Sequence, residues 1–194
     1  MFKREDPSDT RYSILALLLF VLFLLMMYSQ WWRTQTGVLG WAEVPLAPWA
    51  LSGLLTAAAW GGTAYYAAAL SMHKLYKWMI RLPVGAALLP AAAYVLVLLN
   101  GDSPDMNGVL SFCLFAMLLP YYALYVSFYI PLAGLVRLVP FLSVRMANAY
   151  AVFDGPMDPI AAVVICLIYS SVSIYFHALG KRTRERAENP YNGQ

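Results

Sequence analysis

Long runs of apolar residues without charge are the main pattern in this chain. The first run reads YSILALLLFVLFLLMMY over residues 12–28. Similar runs follow at 47–72, 82–99, 109–142 and 160–179. Because a bilayer core about 30 Å thick needs roughly 20 apolar residues of helix, each run is long enough to be a membrane segment. Backbone amides in lipid must be satisfied within the segment, so the pattern predicts helices.

The expected fold is all-α: a polytopic transmembrane helix bundle with five or six membrane segments, one of them broken or re-entrant. The run 109–142 leaves the number open, since its roughly 34 residues would make about 51 Å of helix. That length is too great for one straight crossing and too small for two comfortable ones. Pro120, Pro131 and Pro140 interrupt the run, and proline breaks or kinks a helix. The predicted helices are 12–32, 47–72, 82–99, 109–130, a short or re-entrant 131–142, and 160–179.

Positive charge predicts the orientation of these segments, because cytoplasmic loops carry an excess of lysine and arginine. It places the N-terminus, the connector 73–81 and a basic tail at 180–194 in the cytoplasm, and the connectors 31–46 and 101–108 outside. The run 109–142 must then leave and return as two short, broken helices. The alternative is a single crossing followed by an amphipathic segment, with the tail outside. The basic residues concerned are Lys3, Arg4, Arg11, Lys74, Lys77, Arg81, Lys181, Arg182, Arg184 and Arg186.

Composition leaves no room for a soluble domain. The 194 residues are 61% hydrophobic and only 12% charged, about half the charge of a typical soluble domain. We therefore expect one membrane domain over 1–194. The net charge of +3 is modest, and a basic tail beside a membrane helix indicates lipid headgroups as its partner, not nucleic acid. Small residues at helical spacing, Gly53, Ala57 and Gly61, predict close packing between helices inside the bundle.

Chemistry-bearing residues are few. The chain shows no nucleophile–base constellation, phosphate loop or Cys/His metal spacing, so we expect neither an enzyme nor a bound cofactor. His73 and His177 lie near predicted helix ends and are weak candidates for haem ligation. Arg137 must pair or snorkel if its segment lies inside the bilayer, and is an ordinary headgroup contact if it lies at the interface. Glu43, among apolar and aromatic neighbours, is expected to be half-buried at the outer surface.

The stretch IPLAGLVRLVPFLSVRMANAYAVFDG at 130–155, followed by a last helix with a basic tail, resembles the end of ABC-2-type transporter permeases. The matching residues are Pro131, Pro140, Ser143 and Arg145. The resemblance implies short outer re-entrant helices before the final crossing. It also implies a dimer working with a separate ATPase subunit, which would contact a cytoplasmic coupling segment. The residues expected in that segment are His73, Lys74, Lys77, Trp78 and Arg81.

Two functions remain open from the sequence. One is a membrane-spanning transport subunit of the ABC-2 kind. The other is a small accessory or structural subunit of a larger respiratory or assembly complex, with association to haem or quinone as a variant of that function. This second reading is suggested by the short connectors and by an aromatic content of 15%. In either case a bacterial cytoplasmic membrane, protein partners and an oligomeric state are expected.

Overall fold

A computed structural model describes residues 7–39, 43–100, 127–153 and 159–188. Within these ranges the regular structure is entirely helical, which confirms the all-α class. The helices, in chain order, are α1 (Pro7–Leu39), α2 (Leu46–Ala69), α3 (His73–Asn100), α4 (Ser127–Val136), α5 (Pro140–Phe153) and α6 (Pro159–Glu188).

Two of these helices are long and apolar enough to cross a membrane. The qualifying segments are Asp9–Gln35 in α1 and Ile160–Glu188 in α6, whereas Ser127–Val136 is apolar but shorter. In the most apolar 18-residue stretches of α1 and α6, only 17% and 28% of the stretch is buried inside the molecule. Two exposed apolar helices are consistent with insertion into a membrane, and the bundle of five or six membrane segments stays a prediction.

The helix bounds differ from the predicted membrane segments at their polar ends. Helix α3 begins at His73, nine residues before the predicted 82, and α6 continues through the predicted tail to Glu188. Apolar runs mark only the part of a helix that can lie in the hydrocarbon core of a bilayer. Lysine, arginine, glutamate and methionine are themselves good helix formers, so the helix does not end where the charge begins.

Helix α2 ends in a tight Schellman turn. The Ser71 amide donates to the Ala68 carbonyl at 3.1 Å, and the Met72 amide donates to the Ala67 carbonyl at 2.7 Å. Ser71 supplies the left-handed residue of this motif, with φ of 59°. Because α3 starts at His73, the connection between α2 and α3 is three residues long and no separate coupling segment lies between them.

Helix α2 lies at the centre and packs against α6, α1 and α3. It runs parallel to α6, since Trp60 bonds to Ser173 and Arg184 bonds to the turn after α2. It runs antiparallel to α1, because Trp32 stacks on Trp49 near the start of α2. Two ends of the bundle result. We call them the tryptophan end, at Trp32 and Trp49, and the basic end, at the α2–α3 turn.

Glycines let the helices approach closely, which confirms the packing predicted for Gly53 and Gly61. A Cβ at Gly53 would lie 2.7 Å from the Pro131 carbonyl oxygen of α4. A Cβ at Gly61 would lie 2.7 Å from the Phe176 ring of α6. The faces of α2 that carry these glycines are therefore used inside the molecule.

Candidate functional site

The tryptophan end contains a buried aromatic stack. The rings of Trp32 and Trp49 lie 5.7 Å apart at an interplanar angle of 11°, and both residues are at most 1% exposed. Trp49 donates its indole N–H to the Ile130 carbonyl at 3.0 Å. This bond joins the start of α2 to the middle of α4, so the stack fixes where α4 sits.

Arg137 closes the same cluster from the end of α4. Its guanidinium carbon lies 5.8 Å from the centre of the Trp49 ring, within range of a cation–π interaction. One guanidinium nitrogen donates to the Val44 carbonyl at 2.9 Å. An arginine remains charged at any physiological pH, so Arg137 brings a positive charge to this cluster. Its contact with Val44 lies inside the protein, and whether its segment lies within the bilayer or at its surface stays a prediction.

Helix α4 runs antiparallel to α2 and ends at the tryptophan end. Its first residues lie near the middle of the bundle, where Phe128 contacts Trp60 edge to face at 5.4 Å. Its last turn reaches Trp49, since a Cβ at Gly134 would lie 2.6 Å from the Trp49 carbonyl carbon. The earlier part of the run 109–142 lies outside the described residues.

The break in this region does not lie at the predicted boundary between a helix at 109–130 and a short helix at 131–142, because α4 runs through that boundary from Ser127 to Val136. Helix α4 ends at Val136, residues 137–139 form a turn, and α5 begins at Pro140. Proline is favoured in the first turn of a helix because its missing N–H would have no partner there. Pro131, in contrast, lies inside α4, where its carbonyl faces Gly53.

The other sequence-predicted residues of this region are placed as follows. The Ser143 amide donates to the Val139 carbonyl at 2.9 Å. The Arg145 guanidinium lies 5.7 Å from the Phe141 ring. Glu43 is exposed in the turn before α2, so the expectation of half-burial is wrong. Its neighbour Val44, in contrast, is buried, with 2% of its surface exposed.

The basic end gathers residues from three helices. The Arg184 guanidinium on α6 bonds to the Ser71 hydroxyl and, at 3.5 Å, to the Ala68 carbonyl. Tyr76 on α3 stacks on His177 of α6 with ring centres 3.7 Å apart. The basic segments of α3 and α6, predicted to share one side of the membrane, do share one end of the bundle.

The two histidines lie near each other at this end. His73, Lys181 and Arg184 are close enough for their charges to act on the His177 ring. One face of that ring is covered by Tyr76. Among the described residues, no group of three or more His, Cys, Asp or Glu side chains could hold a metal ion. The haem hypothesis has no further support in this arrangement.

A small cavity lies between α3, α4 and α6. Its volume of about 10 Å³ is close to the least space that one water molecule needs. The wall includes Phe128, Tyr129 and Tyr169, with small residues of α3 opposite. Tyr169 is 1% exposed, and its hydroxyl has no hydrogen-bond partner within the part of the chain that the structure describes. Sequence reasoning missed this cavity, because Tyr169 lies in an apolar run and looks like a lipid-facing residue there.

Comparisons with protein-family models, with curated proteins and with solved structures found no match for this chain.

Proposed function

We propose that this chain is the membrane-spanning subunit of a transporter that works with a separate ATPase, in the manner of ABC-2-type permeases. The observation that carries the proposal is the broken helix pair at the tryptophan end. Helix α4 rises from mid-bundle to Arg137, turns within three residues, and continues as α5 before α6 returns toward the basic end. Short helices of this kind before the last crossing are what the resemblance implies.

The exposed surface supports a lipid environment. Large apolar side chains along α1 stand outside the bundle, among them Phe20, Phe23 and Met27 at 56–58% exposure. Monomeric soluble proteins rarely expose contiguous apolar patches of more than a few hundred Å². In a bilayer the lipid chains cover this surface, so it needs no protein partner. The proposal includes the five or six membrane segments that the apolar runs of the sequence predict.

Orientation follows from charge. With the basic end in the cytoplasm, both termini are cytoplasmic and the tryptophan end faces outward. The ATPase then approaches the basic end. That end includes the last two turns of α6, where Arg182 and Arg186 are exposed. In the family two copies of the permease enclose the substrate path, so this chain works as a dimer.

The test is co-purification of the full chain, carrying an affinity tag, from its own membranes in mild detergent. A stoichiometric ATPase subunit is expected, and the double variant Arg182→Gln/Arg186→Gln should lose it. The matched control, Arg145→Gln at the tryptophan end, should retain it. Recovery of a large assembly of electron-transfer or assembly subunits without an ATPase would instead establish the accessory-subunit function.

A further inference from the structure

The first turns of α3 carry an exposed basic stripe at positions that the resemblance to ABC-2-type permeases would assign to contact with an ATPase. Its residues are Lys74, Lys77, Trp78 and Arg81. Positions i, i+3, i+4 and i+7 lie on one face of a helix. The opposite face, with Met79 at 3% exposure and Tyr76 stacked on His177, packs into the bundle. The stripe therefore points away from the protein.

Among the described residues, no acidic side chain forms an ion pair with this stripe. In the described part of the chain, the ion pairs at the basic end join Lys181 to Glu185 at 3.6 Å and Arg184 to Glu188 at 3.5 Å. Both pairs lie within α6. The first turn of α3 contains no acidic residue, and the positive end of the α3 dipole adds to the charge of the stripe.

The spacing of the stripe along α3 matches a lipid headgroup layer. From Lys74 to Arg81 is about 10 Å along the helix axis, slightly more than the roughly 5–8 Å of headgroups on each side of a bilayer. Trp78, at 56% exposure, has the amphipathic ring that is enriched at this depth. The long arginine side chain can extend back to the headgroups from the deepest position.

A protein partner fits this surface less well than lipid does. The α2–α3 connection is three residues long, so nothing carries the stripe out into the cytoplasm. An ATPase approaching along the bundle axis would meet the α2–α3 turn and the end of α6 before it reached Lys77 or Arg81.

We propose that Lys74, Lys77, Trp78 and Arg81 form a binding site for the anionic headgroups of phospholipids in the cytoplasmic leaflet. The inference rests on the membrane insertion and orientation in the proposed function. The site selects a lipid by net negative charge, with the cations contacting the phosphate and Trp78 fixing the depth of the helix.

The test compares phosphatidylglycerol with phosphatidylcholine of the same acyl chains, bound to the full-length purified protein and counted by native mass spectrometry. The unsubstituted protein should bind more phosphatidylglycerol than phosphatidylcholine. In the double variant Lys77→Gln/Arg81→Gln the ratio of the two bound lipids should fall about tenfold. The matched control is Arg182→Gln/Arg186→Gln, which removes two charges at the same i, i+4 spacing on α6. It should keep the preference.

Each result is decisive for this site. An equal loss in both double variants would show attraction by net charge alone and would overturn the site. An unchanged preference in Lys77→Gln/Arg81→Gln, with loss of a co-purifying ATPase, would assign the stripe to a protein partner. Size-exclusion profiles show whether each variant is folded, and the milder single variant Lys77→Gln replaces a double variant that fails. The ATPase readout of Arg182→Gln/Arg186→Gln is independent, so the proposed function and the lipid site can fail separately.

Discussion

At the scale of single residues, Trp49 is the side chain on which the tryptophan end depends. It stacks on Trp32, lies beneath the Arg137 guanidinium, and donates to the Ile130 carbonyl. Trp49→Phe keeps a ring but removes the donor, so we expect a loss of about 1 kcal/mol in stability. Thermal unfolding of the purified protein in detergent measures it. Trp31→Phe, at an exposed position of the same end, is the control, and an equal loss there would contradict this role for Trp49.

Arg137 is the second residue whose role can be tested alone. Arg137→Leu removes the bond to the Val44 carbonyl and the contact with Trp49, and we expect about 1–3 kcal/mol of destabilisation from a charged hydrogen bond lost in a partly buried site. Arg137→Lys keeps the charge but lacks the flat guanidinium, so the stability of this variant should lie between that of the unsubstituted protein and that of Arg137→Leu. The midpoint of thermal unfolding reports both variants. If Arg137→Leu is as stable as Arg186→Leu at the exposed end of α6, Arg137 is only a headgroup contact.

At the scale of helices, the contact between α2 and α4 depends on a glycine. A Cβ at Gly134 would lie 2.6 Å from the backbone carbon of Trp49, whereas one at Gly62 would lie 3.1 Å from the flexible Leu18 side chain. Gly134→Ala must push two backbones apart and should cost about 1–3 kcal/mol. Gly62→Ala should cost clearly less, because a side chain can move. Equal losses in the two variants, measured by thermal unfolding, would show that α4 is not held against α2 in this way.

The helices themselves could be predicted more fully than their contacts. Apolar runs indicated α1, α2 and α6, because that signal is local in the chain. The prolines indicated an interruption of 109–142 but not its place, since Pro131 lies inside α4 and Pro140 begins α5. The start of α3 at His73 was missed, since a charged helical turn looks like a connector. The contact of Arg137 with Val44 joins residues 93 positions apart. No local pattern encodes such a contact, so the cluster around Trp49 emerged only from the fold.

At the scale of the whole molecule, the two ends of the bundle differ in their polar residues. The basic end combines the starts of α1 and α3 with the end of α6. The tryptophan end combines a stacked aromatic pair with the exposed Glu43. Most of the described lysines and arginines lie at the basic end, although Arg33, Arg137 and Arg145 lie at the other end. An excess of positive charge at one end is what the positive-inside rule predicts for the cytoplasmic end of a membrane protein, so the proposed orientation can be measured.

Single cysteines test that orientation directly. In a chain with Cys113 and Cys166 replaced by serine, Glu43→Cys should react with a membrane-impermeant thiol reagent in intact cells, because the proposed orientation turns the tryptophan end outward. Arg186→Cys should react only after the cells are permeabilised, because the same proposal puts the end of α6 in the cytoplasm. Labelling of both in intact cells would put the C-terminal tail outside, as in the single-crossing alternative for 109–142, and would contradict the parallel packing of α2 and α6. Labelling of Arg186→Cys but not Glu43→Cys would invert the whole molecule, and the ATPase could then not reach the basic end.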